Sequence, residues 1–259
     1  CRFLKPVYAG DTLSAASEVI GLRENANKTS GVVYVRTTGR DQGGERILEY
    51  VRWVMVRKRD PASPAPTALV PKLAERVEPN DLGAAVPKLD LAAYDFALAG
   101  SPYRWGAYAA GEKIDHLDAM TLEEAEHQIA TRLYQNTAKV HFNLHEQAQG
   151  QFKRRLIYGG VVISLARALS FNGLANAFHI AAINGGRHVA PCFAGDTVYA
   201  WSEVLETAEI AGRSDIGALR TRLVAVKNRA CADFPLRNGK GDYEDGVILD
   251  LDCWLVLPR

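Results

Sequence analysis

The chain has 259 residues, 47% of them hydrophobic, and a formal net charge of +1. That is enough apolar material for one large or two small domains with a sizeable core. The near-neutral charge gives no reason to expect nucleic acid or a membrane surface as a partner, and no apolar run approaches the ~18 residues of a spanning helix. The four cysteines, Cys1, Cys192, Cys231 and Cys253, are scattered, with no CxxC and no His/Cys pair at metal spacing. A reduced, cytoplasmic protein without a metal is the expectation.

Along the chain, Lys5–Ile20 reads KPVYAGDTLSAASEVI, and Ala190–Leu205 reads APCFAGDTVYAWSEVL. Nine of the sixteen aligned positions are identical, from Pro6/Pro191 through Ala9-Gly10-Asp11-Thr12 on Ala194-Gly195-Asp196-Thr197 to Val19/Val204. Unrelated segments would share about one, so the chain holds two copies of one unit. Each GDT step supplies a Gly for a turn and an Asp that can bond its own backbone. Because Asp11 and Asp196 recur in both copies, a fold role explains them better than catalysis. After the turn, alternating β-branched segments predict strands over Thr12–Leu22, Gly31–Thr38 and Ile47–Arg57. The second copy repeats them over Thr197–Thr207, Gly217–Lys227 and Val247–Leu257.

Residues 60–104 open with DPASPAPTALVP and read as a surface linker between residues 1–59, the back part of the first copy, and residues 105–259, the complete second copy. In the second copy, Gly111–His116 predicts a short strand. Thr121–Arg132 predicts a helix with Thr121 as N-cap and Glu124 completing a capping box. Tyr134–Gly150 is a polar, His-bearing loop or short helical stretch. Gly160–Leu169 is an apolar helix with few charges, expected to be buried on most sides. Ala177–Ile183 enters the sheet. Cys192, Cys253, Tyr134 and Trp201 read as core. One buried helix followed by a long antiparallel sheet, done twice, gives an α+β double hot-dog, each sheet wrapped around its own helix. The first copy has no such helix upstream of Arg2, so its first repeat reads as truncated by about 80–90 residues. Without that helix, Val33, Tyr34, Val51 and Trp53 are expected on an open apolar face.

The residues able to carry chemistry gather ahead of the apolar helix. His141 and His145 lie in the polar loop. Gly159 and Gly160 open the helix, where unpaired N–H groups and the positive end of the macrodipole can stabilise an oxyanion. A titrating imidazole beside such a site suits proton chemistry next to a thioester carbonyl. Tyr158 adjoins Gly159 and can line a pocket. Arg154, Arg155 and Arg187 offer forks for a carboxylate, although Lys153 and its neighbours equally read as a solvated charge run.

The order of a His loop, then FKRRLIYGG, a buried helix and a strand after AGDT resembles the (R)-specific enoyl-CoA hydratases of the MaoC-like hot-dog group. Their D-x-N-P-x-H loop aligns with Asn136-Thr137-Ala138-Lys139-Val140-His141. Their later F-G-R-P-I-V-H-G segment aligns with Phe152–Gly159. His141 thus falls on the catalytic His and Gly159 on the glycine facing the thioester oxygen. Asn136 stands where that group has Asp, and Ala138 where it has Asn. The strings RLYQNTAKVHFNLH, RRLIYGG, ISLARALSFNGLANA, AAINGGRH and LEYVRWVMVRKRDP are similar to the mesaconyl-CoA hydratase, or β-methylmalyl-CoA dehydratase, branch. The resemblance implies a hydro-lyase acting on a CoA thioester, with no cofactor and with a homo-oligomeric assembly. It makes His141 the acid/base and Gly159 the oxyanion donor, with Gly160 as second donor. Asn136 would hold water or orient the imidazole. The second proton carrier stays open among His145, Glu146 and the substrate's own carboxylate. Two other readings remain: a thioesterase of the same fold, and a non-catalytic thioester-binding subunit, the latter motivated by Asn136.

Overall fold

In the computed structural model, which describes residues 1–84 and 86–259, the two AGDT segments form the same turn. Gly10 and Gly195 sit at φ +98° and +93°, a region that residues with a Cβ avoid. Asp11 accepts the Tyr8 N–H at 2.8 Å, and Asp196 accepts the Phe193 N–H at 2.9 Å. The second carboxylate oxygen takes an amide in each case, from Gln42 at 3.0 Å and from Asn228 at 2.9 Å. The expected fold role of both aspartates is thereby accounted for.

The chain divides into two compact units, Cys1–Leu89 with Ala181–Asn184, and Asp90–Ile180 with Gly185–Arg259. In the first, β1 (Arg2–Phe3), β2 (Ser14–Glu24), β3 (Ser30–Arg40) and β4 (Arg46–Arg57) are antiparallel in the order β2-β3-β4-β1. Arg2 also pairs with Ala182. Strand propensity alone marks these segments, because their β-branched residues pack well on a pleated surface. Among the described residues this unit has no α-helix. Trp53 is 54% exposed and Met55 75%, while Val33, Tyr34 and Val51 are half-buried rather than open. The Tyr34 and Trp53 side chains face each other across the register, with ring centroids 6.1 Å apart. Most described residues of 60–89 are exposed, and the segment touches the unit locally: Leu69 donates its backbone N–H to the Leu22 carbonyl at 2.8 Å, and Leu82 and Val86 are buried.

The second unit is a sheet around a helix. Its strands are β5 (Lys113–Thr121), then, after the helices, β7 (Thr197–Ile210), β8 (Arg213–Lys227) and β9 (Val247–Pro258), paired antiparallel in the order β5-β7-β8-β9. Between them come α1 (Glu124–Leu133), α2 (Leu144–Gln147), α3 (Gly159–Leu169), α4 (Phe171–Leu174) and β6 (His179–His188). α3 packs on β5, β7 and β8. It buries Val162, Leu165, Ala166 and Leu169, which recur at the spacing of one helical face. Each of the large ones stabilises by about 1.5–3 kcal/mol on burial. Only Ser164 and Ala168 are exposed, and the other residues of the helix are buried or half-buried. Trp201, Trp254, Leu219 and Leu255 complete the core, as does Cys253. Burial pushes the thiols of Cys192 and Cys253 up to about 12 and about 11, which leaves them inert packing groups.

Two local expectations fail for identifiable reasons. Thr121 is the last residue of β5, not a helix cap, because its hydroxyl pairs with the Thr197 hydroxyl across the strands at 2.7 Å. α1 therefore starts at Glu124 after an uncapped Glu123. Tyr134, expected in the core, follows that helix as its C-cap and is 69% exposed.

The Asp196 turn is testable. Burial alone would raise its carboxyl, but Asn228, the Phe193 N–H and Lys227 more than reverse this and leave its pKa lowered. Replacing Asp196 with Ala strands the Phe193 N–H and should cost about 1–3 kcal/mol, read as a lower urea midpoint at pH 7. A depressed carboxyl contributes its stability above the unfolded value near ~3.9 and loses it as pH falls through the lower folded value. The gap between wild type and variant should close over that acid range; a gap that persists unchanged there would refute the assignment.

Candidate active site

The start of α3 is the focus of a histidine cluster lying wholly within the second unit. The N-terminus of any helix carries N–H groups that the helix itself cannot satisfy. Here the N-cap residue is Tyr158, and its N–H is donated to His127 Nε2 at 2.9 Å. Nε2 must hold a lone pair to accept it, so the proton of the neutral ring lies on Nδ1. Burial, followed by the nearby His141, lowers the pKa of His127 and keeps it in that neutral form. His127 is buried on α1, which is thus hydrogen-bonded to the entry of the central helix.

His141 ends a single 3-10 turn, Lys139–His141, and its backbone carbonyl accepts the Gln128 side-chain amide at 2.9 Å. Its Nδ1 lies 2.9 Å from the Leu156 carbonyl. A carbonyl only accepts, so Nδ1 carries a proton and Nε2 is the atom left for chemistry. The ring stands 5.6 Å from the Tyr158 ring and 6.4 Å from that of His127, centroid to centroid. His141 is thereby next to Tyr158, the residue that leads into Gly159 and Gly160.

At 159 a side chain would displace the ring of His188. A Cβ there would lie 2.7 Å from Cε1 and 3.0 Å from Cδ2 of His188, with Nε2 closer still. At Gly160 a Cβ would meet the Tyr158 ring at 2.8 Å. His188 is exposed, and the protein packed on one side of its ring, then His141, lowers its pKa. His188 ends β6, and successive strand residues face opposite ways. Arg187 accordingly points away from the helix mouth, where its charge acts on Tyr243.

The other expected site residues are placed as follows. Asn136 turns its side-chain oxygen back to the Ala138 N–H at 2.8 Å, shaping the loop that leads to His141. Arg155 is held by Glu124 at 2.6 Å and by the Phe142 carbonyl at 3.3 Å, which ties α1 to the loop. Arg154 is exposed, lies over the Phe193 ring at 4.6 Å and donates to the Ala194 carbonyl. His145 is exposed on α2, and Glu146 pairs with Lys139 at 3.1 Å. His127 and His188 did not emerge from the sequence pattern. They come from a helix and a strand far apart along the chain, and the one local signal was the short run Gly185-Gly186-Arg187-His188 just ahead of the repeat.

A site with a fixed neutral histidine, a second one with a free Nε2 and a helix N-terminus lined by glycine can stabilise an enolate and move protons beside it. Comparison with known proteins points the same way. A sequence model of mesaconyl-CoA hydratase matches residues 1–240. The β-methylmalyl-CoA dehydratase of Chloroflexus aurantiacus is 59% identical over the whole of this chain and 73% of its own length. The mesaconyl-CoA hydratase of Cereibacter sphaeroides is 60% identical over the whole chain and 74% of its own. Among solved structures, a MaoC-domain protein of Chloroflexus aurantiacus superposes with a TM-score of 0.96 at 59% identity, covering all of this chain and 73% of that one. A Mycobacterium tuberculosis protein with a double hotdog fold matches at 0.66 and 25% identity, with the same coverage.

Replacing Gly159 with Ala should push the His188 ring out of its place. The expected outcome is an NMR titration midpoint for His188 that moves up toward the ordinary value near ~6.5, with the near-ultraviolet circular dichroism of the fold retained. An unmoved midpoint would mean that the ring does not sit against Gly159. The lowered histidines also set a direction for stability. As pH falls below about 6.5 the unfolded chain takes up protons that His116, His127 and His188 refuse, so the urea midpoint should fall from that pH down through their folded values.

Proposed function

The chain belongs to the mesaconyl-CoA hydratase family, and from that premise we propose how its own residues divide the work. The reaction is the reversible hydration of mesaconyl-CoA to β-methylmalyl-CoA, a hydro-lyase step on a CoA thioester. Its fold is the α+β double hot-dog. Water adds to the β-carbon, charge moves through the α-carbon onto the thioester oxygen, and a proton then reaches the α-carbon.

The Gly159 and Gly160 N–H groups receive the developing oxyanion at the positive end of α3. His141 exchanges the proton at the α-carbon through Nε2. The single observation that supports this role is the bond from Nδ1 to the Leu156 carbonyl, which engages that nitrogen as a donor and leaves Nε2 for chemistry. Tyr158 lines the same mouth. Arg154 is the cation we assign to the substrate carboxylate. Arg155 is engaged by Glu124 and supports the loop, and Arg187 faces the other way. Asn136 acts through the loop it shapes rather than as a proton carrier, since an amide cannot take the part of a carboxylic acid. The four unpaired cysteines support a reducing, cytoplasmic setting, and we retain a homo-oligomer as part of this reading. Nothing observed favours the thioesterase or the non-catalytic binding subunit.

Replacing His141 with Ala should lower kcat for mesaconyl-CoA hydration by more than about 100-fold with little loss of stability, followed as decay of the unsaturated thioester absorbance. A variant with near-normal kcat removes His141 from the mechanism, and release of free CoA by the wild type would instead favour the thioesterase. Replacing Asn136 with Asp keeps an acceptor for the Ala138 N–H but adds a negative charge to the loop. The kcat/KM ratio of mesaconyl-CoA to the uncharged crotonyl-CoA should then fall. An unchanged ratio would show that residue 136 does not sense the substrate carboxylate.

A further inference from the structure

Hydration needs two proton carriers, one for the attacking water and one for the α-carbon, and His141 accounts for only one. Asn136 has spent its oxygen on Ala138, Glu146 is paired with Lys139, and His145 is carried on α2. His188, exposed like His145, lies against the first residue of α3, with Nε2 the ring atom nearest to where a Cβ of Gly159 would be. Among the described residues its imidazole has no hydrogen-bond partner, in contrast to His116, His127 and His141, whose ring nitrogens are engaged. It is close enough to His141 for the charge of one to act on the other.

We propose that His188 is the proton carrier on the oxygen side of the reaction, and that His141 serves the carbon side. This rests on the hydratase reading. His188 enters with a lone pair on Nε2, and His141 enters doubly protonated, its Nδ1–H held by the Leu156 carbonyl. Water attacks the β-carbon as His188 takes one of its protons, so an O–H bond breaks and a C–O bond forms. The π pair of the alkene moves to the enolate at Gly159 and Gly160. The enolate α-carbon then takes the Nε2 proton of His141. One proton passes from His188 back to His141 through solvent, and the net change is one water added. The lowered pKa of His188 agrees with a ring that starts neutral. In dehydration the same ring protonates the departing hydroxyl.

The test runs dehydration in D2O with the full chain and β-methylmalyl-CoA. Formation of mesaconyl-CoA is followed by absorbance, and deuterium entry at the α-carbon of recovered substrate by mass spectrometry. His188→Gln should lower dehydration by about 100-fold or more while deuterium entry stays within about tenfold of wild type. His141→Ala should lose both. His188→Asn is measured beside it, and whichever variant keeps the wild-type near-ultraviolet spectrum is read. Dehydration near the wild-type rate in that variant overturns the proposal. So does loss of exchange along with dehydration, because His188 would then not be confined to the oxygen side. A wild type that neither dehydrates the substrate nor hydrates mesaconyl-CoA overturns the hydratase reading itself, and is recognised by the missing activity before any variant is compared.

Discussion

A helix that enters a core must do something with the N–H groups of its first turn, and the second unit is arranged around that requirement. The Tyr158 N–H goes to His127, and the Val161 N–H folds back to the Tyr158 carbonyl at 2.9 Å. These two bonds set the angle at which α3 starts, and the Gly159 and Gly160 N–H groups that follow lie at a mouth ringed by imidazoles. Everything assigned to chemistry follows from it. His127 is buried because it is a structural acceptor, α1 is placed because it carries His127, and Arg155 with Glu124 holds the loop to α1. A polar network of this kind is worth most when every member is satisfied, since the cost of an unpaired buried group is high.

The division of labour between the three central histidines is a matter of what each nitrogen touches. One faces a backbone donor and is held as an acceptor. One faces a backbone acceptor and is held as a donor. The third faces neither. Identical side chains thus take different hydrogen-bonding roles from single backbone contacts, while burial first of all lowers the pKa of His127 and of His188.

Much of the fold was legible because it is local. The doubled AGDT run announced two copies, and the aspartates proved to accept the same backbone N–H in each. The strands and α3 followed from periodicity, with boundaries shifted by a few residues. What failed was also instructive. Thr121 looked like a cap because Glu124 follows at the right distance, yet a strand partner at Thr197 competed for its hydroxyl and won. In the candidate site, His141 and Gly159 were picked out through their neighbours in sequence. His127 and His188 were not, since they meet the start of α3 only once a helix and a strand converge on it. Arg187 and Arg155 were plausible from charge alone, and the strand alternation and the Glu124 ion pair redirected them.

The alternation at the end of β6 has a consequence for how this segment can vary. A strand repeats every two residues, so sliding its last part by one would exchange the two sides at a stroke. The guanidinium of Arg187 would swing to the helix mouth, and the imidazole of His188 would leave it. Length changes inside β6 ahead of His188 are therefore constrained by parity and not only by size, whereas residues 189–196 form a loop that absorbs an odd change without turning the strand. Within the strand, a two-residue insertion keeps the pattern of sides, and a single inserted residue inverts it unless a bulge restores the count.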